Sequence, residues 1–547
     1  MKKALALVLC LIAVISLAAC GKPAADQTNG TDPEGRPIVT IGIPQNPSIT
    51  YEGNTYTALL EKLSGCKIEL VFFQSAAADY TQQLSLRVAG GEELPDILWG
   101  FRGLTMEERN KYGQKGTFID LKPMLMDREM SKEFWDRMDL ADDAVEKKVL
   151  VDMIDPETDE AYGFPAVLFP MHDICSYMVS INQEWLERLG LQNPENIEQL
   201  EHVLREFKNK DANGNGNPND EIPLMGQASG TGARSMDYFI NLFTYYNTQD
   251  GYFQLDENGK VVCTAQTEAY RDALKWVHRM VKEGLIHENT FTNLQGDIQY
   301  YFMSNLDRLG VVITHPQIGF TITNDLLYKF TAIKCINYAP ILQGQHTYNT
   351  HITSSCDNVE AAWKVLMAMC TEEAILHNGF GVYGENWTDA DPGSKSMDGF
   401  DARVKILKPD GLPTVNRWGH NAVGVLLSAP EQKVDDPNAD PRYIYQMEEL
   451  LMGIVNTYKE AAANNNPPAD KLCPYLVFNA QDRLDAPGYN QVPNEIVKWQ
   501  GYFMSGQLDP NNPEHWQRFM NALDKVGIEN YVKVAQIVYE RTIASYN

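Results

Sequence analysis

Two rhythms of apolar and polar positions take turns early in the chain. Residues 38–43 form a short β-branched run closed by Pro44, residues 67–73 a second apolar run, and residues 96–99 a third after Pro95. Between them, 54–63 and 80–88 carry apolar residues at helical spacing. Strands and helices that alternate through short joins predict an α/β, doubly wound, mostly parallel sheet. In such sheets ligands sit beyond the carboxyl ends of the strands, which puts 44–47 and 99–102 on one rim.

Farther along, 162–172 and 174–181 predict a crossing strand that enters new structure. Asn193-Pro194 predicts a helix start, with Ile197, Leu200, Val203, Leu204 and Phe207 as its inner stripe and an end at Lys210. Tyr270, Ala273, Leu274, Val277 and Val281 form a like stripe stopped by Gly284. Asn358 is placed to cap a helix whose inner face is Val359, Ala362, Trp363, Leu366 and Cys370. The last third is looser, with helices expected over 447–458, 516–523 and 531–539, and no internal repeat.

Composition narrows the function. The 547 residues allow two to four domains. The net charge is −27, or −29 once Lys2 and Lys3 are removed, and a surface so acidic repels nucleic acid and anionic lipid. Cysteines number nine, scattered without CxxC spacing, which argues against a disulfide framework or a zinc site.

The start of the chain has its own pattern: Lys2 and Lys3, an apolar run over 4–17, then Ala18-Ala19-Cys20. This resembles the lipobox of bacterial lipoproteins, with residues 1–19 as signal peptide and Cys20 as the lipidated first residue of the mature chain. Residues 20–37 hold no periodic apolar positions and read as a flexible stalk. The expected location is the extracytoplasmic face of a cell membrane, tethered through lipid on Cys20.

Two stretches carry chemistry. In 211–223, oxygen-bearing residues stand at loop positions one, three and five, and Gly216 takes position six, where calcium loops need a sharp turn. The expected ligands of a structural calcium ion are Asp211, Asn213, Asn215, the carbonyl of Asn217, Asp220 and Glu221. Ile222 stands at position twelve and Pro223 follows, so the match covers the first half of an EF-hand loop, and a solvated Asn-Gly turn is the competing reading. The second signal is a set of aromatic and polar residues near predicted strand ends, Gln45, Trp99, Phe101, Arg102, Phe169, His172 and His315, with Arg417 and Trp418 in a polar and aromatic loop. Rings stack on apolar sugar faces while amides, imidazoles and guanidinia reach hydroxyls, as a carbohydrate cleft requires. Each ring alone fits a core position more readily, so only the group points to a cleft.

Gly379-Phe-Gly-Val-Tyr-Gly384 matches GxGxxG without strand-turn-helix context, and HExxH, GxSxG and Walker sequences are absent. A glycosidase carboxylate pair cannot be sought by counting acids, because only spatial separation defines it.

Pieces along nearly the whole chain resemble the extracellular solute-binding lipoproteins of ABC importers, in the carbohydrate-associated group with LipO-type and alginate-binding proteins. They include Ile41-Gly-Ile-Pro-Gln-Asn46, Ala78-Asp-Tyr80, Leu94-Pro-Asp-Ile97, Ile181-Asn-Gln-Glu-Trp-Leu-Glu-Arg-Leu-Gly190, Asp220-Glu-Ile-Pro223, Glu283-Gly-Leu-Ile286, Val359-Glu-Ala-Ala-Trp363 and Gly501-Tyr-Phe-Met-Ser-Gly506. Val382-Tyr-Gly-Glu-Asn-Trp387 departs from the Gly-Glu-Gly usual in that group ahead of the aromatic, Trp387, for which the resemblance implies a rim contact, and the loop at Asn217-Pro-Asn219 is one residue longer than the commonest form, so Asn219 competes with Asp220 as a ligand. The resemblance implies a periplasmic-binding-protein-like fold, two doubly wound lobes joined by a multi-strand hinge around a central cleft. The N-terminal lobe would comprise 38–163 and 350–399, the C-terminal lobe 164–349 and 400–547, with crossings near 163, 347–355 and 399. It implies a monomer without catalysis that captures an oligosaccharide or similar polar solute for ABC permease subunits by hinge closure. A surface-anchored polysaccharide-degrading enzyme and a binder of peptides or sensory ligands are the alternatives.

Overall fold

The computed structural model describes residues 30–546 apart from 140–145, 147–148, 151, 156, 170–176, 229–233, 247–250, 293–295, 316–324, 339–344, 396–400, 408–413, 420–423, 428–443, 465–467, 475 and 477. Residues 1–29, with the expected signal and Cys20, lie outside the described part. The strands in chain order are β1 (Ile38–Pro44), β2 (Lys67–Phe73), β3 (Ile97–Leu98), β4 (Phe164–Phe169), β5 (Val179–Asn182), β6 (Ile222–Gly226), β7 (Phe253–Leu255) and β8 (Val261–Cys263). There follow β9 (Leu309–Ile313), β10 (Phe330–Ala332), β11 (Gln345–Ile352), β12 (Trp387–Asp389), β13 (Val404–Ile406) and β14 (Gly424–Leu427).

The first sheet runs β14-β4-β11-β3-β1-β2 and the second β10-β5-β9-β6. In the first, β1 is parallel to β2 and β3, and β4 to β14, while β11 runs antiparallel between β3 and β4. The helix Thr55–Ser64 shows why the expected alternation forms. Asn54 caps it, accepting from the Tyr56 and Thr57 amides, and Gly65, at φ 71°, ends it in the left-handed region that glycine enters without strain. β1 must also pass close under its neighbours: a Cβ on Gly42 would stand 2.8 Å from Leu98 and 2.9 Å from Phe73.

Three cores organise the chain. The first sheet buries Val39, Ile41, Ile43, Ile97 and Trp99 against the helices Thr55–Ser64 and Val359–Cys370. The second buries Val179, Ile181, Leu224, Val311 and Ile313 with the helix Ile197–Asn209. A third core, not foreseen from the sequence, gathers the β7–β8 hairpin and the helices Gln491–Met504, Pro513–Lys525 and Ile528–Tyr546. The helix Glu268–Lys282 joins it to the second, giving Trp276, Val277 and Met280 to one core and Tyr270, Ala273 and Leu274 to the other.

Several expectations change. Asn193-Pro194 does not open its helix; Asn196 caps it, accepting from the Gln199 amide, and the helix starts at Ile197. The chain folds before residue 38: Asp32 accepts from the Glu34 and Arg36 amides, Arg36 also pairs with Glu61, and Thr31 bridges to Pro37. Phe164–Phe169 and Gly424–Leu427, given to the second lobe by the sequence reading, hydrogen-bond into the first sheet. The chain therefore passes from sheet to sheet after Phe169 and after Ala332, and after Leu427 goes on to the helix Ile444–Ala463 packed in the second sheet's core, not at 163, 347–355 and 399. The six described free cysteines include buried Cys66, Cys263, Cys370 and Cys473.

His351 of β11 is fully buried, stacked on Phe118 at 4.3 Å between ring centres, with Nδ1 2.6 Å from the Tyr162 carbonyl oxygen. Burial pulls its pKa from 6.5 to about 3, so the folded chain holds the neutral ring. The unfolded ring binds a proton first, so this contribution is complete above the unfolded pKa and is lost as pH falls through the window from about 6.5 to about 3. Denaturant titrations between those limits should show stability falling with acid, and His351→Phe should flatten that slope by up to ~1.4 kcal/mol per pH unit. An unchanged slope would contradict this.

Candidate functional site

The order and direction of the strands bring two rims together. Register pairs Gln345 with Leu168 and Leu427 with Phe169, so all three passages leave the same end of three adjacent strands of the first sheet. The carboxyl ends of β1, β2 and β3 lie at that end too, because β11 runs against β3. In the second sheet Val179 pairs with Ile313, and Gly226 with Ile313, so the passages enter where β6 and β9 end. The residues just past these ends face the space between the sheets, the place where α/β folds bind ligands.

On the first rim, Gln45 is exposed and its amide donates to the Phe73 carbonyl at 2.9 Å, while exposed Asn46 donates its amide to Tyr51 Oη at 3.1 Å. Arg102 is exposed beyond β3. On the second rim stand Gln227, after β6, and buried Thr314 and His315, after β9.

The expected aromatic cluster is mostly interior. Trp99 packs edge-on against Trp418 at 5.5 Å, and Trp418 against Tyr56 at 5.4 Å, with its indole donating to Thr57 Oγ1 at 2.8 Å. Phe101 is fully buried between Phe73 and Tyr80. Trp387 sits in a small cluster with Leu376 and Val404, its indole donating to the Gly381 carbonyl. Large rings bury most apolar area where they meet one another; Trp99 and Trp418 do so in the core of the first sheet, Phe101 and Trp387 in two separate clusters. The Phe169 side chain and His172 lie outside the described residues. The rings left at the rim are ones the sequence reading passed over: Phe72, 40% exposed, with Tyr51 at 4.9 Å. Phe72 directly precedes core residue Phe73, and strand alternation turns it to the opposite face.

Arg417 lies on a strap held by side chains. Asn54 Nδ2 donates to its carbonyl at 3.0 Å, Thr55 Oγ1 to Asn416 Oδ1 at 2.9 Å, and Asn378 Nδ2 to the Gly419 carbonyl at 3.0 Å. Its guanidinium is half-buried, Nε has no hydrogen-bond partner, and burial lowers its pKa.

The loop over 211–221 is a tight knot of side-chain turns. Asn213, Asn215 and Asn217 each accept the amide two residues on, Asp211 Oδ2 accepts from the Gly216 amide at 2.9 Å, and Gly216 has φ 89°. Asp220, not Asn219, turns inward: its carboxylate accepts from Asn213 Nδ2 at 3.3 Å and Asn215 Nδ2 at 3.0 Å. Glu221 Oε1 accepts from the Ala212 amide, while Asp211 Oδ1 and Glu221 Oε2 are buried without a partner. The described residues hold no group of three or more His, Cys, Asp or Glu arranged to bind a metal. The loop instead mixes carboxylates with amide oxygens, and its two orphaned carboxylate oxygens are what a hard cation would satisfy.

No protein-family model matches the chain. It is 24% identical over 516 residues, 89% of this chain and 87% of the other, to the fructooligosaccharide ABC transporter substrate-binding protein FusA of Streptococcus pneumoniae. It is 24% identical over 283 residues, 51% of this chain and 50% of the other, to Lipoprotein LipO of Bacillus subtilis. The solved structure of a FusA EF-hand mutant in complex with fructo-nystose superposes with a TM-score of 0.71 at 20% identity, covering 93% of this chain and 99% of that one. The chain is thus similar to substrate-binding proteins of ABC transporters and has their periplasmic-binding-protein-like fold.

Because Trp99 is core, Trp99→Ala should destabilise the chain by about 3–5 kcal/mol in denaturant titrations. A loss below ~1 kcal/mol would return Trp99 to the rim.

Proposed function

We propose that this chain captures an oligosaccharide on the outer side of a membrane and delivers it, chemically unchanged, to an ABC permease. The observation that carries this reading is the shared end of the two sheets: three passages join a first rim with exposed Gln45, Asn46 and Arg102 and the Tyr51–Phe72 ring pair to a second rim with buried Gln227, Thr314 and His315. Amides and guanidinia bind hydroxyls, and rings stack on sugar faces. A solute touching both rims favours their approach, and a permease that recognises the closed arrangement reads out occupancy. The relative FusA is named for fructooligosaccharide, which supports saccharide over peptide. No described helix is long and apolar enough to cross a membrane, and lipid on Cys20 would supply the tether.

A calcium ion completes the proposal. Asp211, Asn213, Asn215, Asp220 and Glu221, with the Asn217 carbonyl, would hold it, and the ion would neutralise the orphaned oxygens of Asp211 and Glu221. The loop connects the helix Ile197–Asn209 to β6, so the ion would fix an element of the second lobe without touching solute.

Calorimetric titration with kestose, nystose, maltotriose, xylotriose and trigalacturonic acid, with trialanine as control, tests the binding reading. Saturable binding of at least one saccharide, recovered intact, is expected. Binding of the peptide alone, or sustained release of new reducing ends, would contradict it.

Chelation should lower Tm while changing saccharide affinity less than about twofold, and calcium should restore Tm. An affinity collapse at constant Tm would contradict a structural ion.

A further inference from the structure

Gln227 is 1% exposed and follows β6 at the point where the passages enter the second sheet. Its backbone carbonyl accepts from Ser235 Oγ at 2.7 Å and from the Ser235 amide at 3.2 Å, which fixes the main chain. Its side-chain Oε1 accepts from Thr314 Oγ1 at 3.0 Å, and Thr314 is itself tied down by an amide bond to the Met178 carbonyl at 3.0 Å. The other end of the carboxamide, Nε2, is buried and has no partner.

A buried amide donor without an acceptor costs stability, so its persistence in a chain of ordinary core composition calls for a reason. Turning the carboxamide over gives no relief, because Nε2 would then face Thr314 and Oε1 would become the orphan. A group that both donates and accepts satisfies either orientation, and a hydroxyl is such a group. We propose that Gln227 is a solute-contacting specificity residue of the second rim, hydrogen-bonding a hydroxyl of bound saccharide, with Thr314 as the residue that positions it. This rests on the saccharide reading of the cleft and names the second-lobe group that reads the solute.

A contact residue of this kind is needed for saccharide affinity, whereas a purely structural glutamine is not. Gln227→Leu, with Gln227→Met as a second variant of similar volume, separates the two. Melting without solute and calorimetric titration with the same saccharide panel are measured together. The assignment expects affinity to fall by about tenfold or more in both variants while a melting transition is retained; Tm does not discriminate, because each variant removes the orphan donor and also strips the buried Thr314 hydroxyl of its acceptor. Thr314→Val should lower affinity by a smaller factor, because it frees the carboxamide without removing it. Unchanged affinity in the Gln227 variants would overturn the assignment. That result leaves the saccharide reading standing, because wild type still binds. A wild type that binds no member of the panel would overturn the saccharide reading and the assignment with it.

Discussion

The fold depends on one constraint of strand direction. β4, β11 and β14 are neighbours in the first sheet, and the chain leaves β4 and β14 and enters β11 at the same end. β11 must therefore run antiparallel to β4, because it brings the chain back while β4 and β14 carry it away. The same reversal places the carboxyl ends of β1, β2 and β3 beside the passages. A cleft between sheets follows from that topology before any side chain is considered. The connections are also too few to lock the sheets as one core, so relative motion is the default expectation.

Packing then divides the side chains by role. Trp99, Trp418 and Tyr56 interlock edge to face inside the first lobe, leaving polar groups and the Tyr51–Phe72 pair at its rim. The third core gives the second lobe a helical flank, tied to its sheet by the two-faced helix Glu268–Lys282. That flank reaches the first lobe: Arg483 Nη1 lies 3.4 Å from Glu107 Oε2, and Lys111 holds the other oxygen of the same carboxylate. Such a part-exposed pair is worth at most about 1 kcal/mol, enough to bias the lobes and too little to fix them.

Much of this was legible in the sequence, and the misses have physical causes. The alternation of β1, β2 and β3 with helices was visible because each strand is a short apolar run and each helix has a cap or a glycine stop, as at Asn54 and Gly65. The passages were misplaced because β4, β11 and β14 gain their identity from partners distant in sequence, and Gln345–Ile352, rich in polar residues, carries no strand rhythm of its own. The site suffered most. Trp99 follows a strand and Trp418 stands in a polar loop by sequence, and only three-dimensional packing reveals that each is the other's partner. Gln227 was invisible for the opposite reason, since an unsatisfied donor is defined by what fails to surround it. The Asp211 loop was the most readable, because its turns are made by residues two apart.

Small-angle X-ray scattering with and without a bound saccharide tests the central claim, that two lobes close on solute about the shared strand ends. The account predicts a smaller radius of gyration on saturation and none of that change with a saccharide that does not bind. Tight binding with identical scattering curves would contradict it.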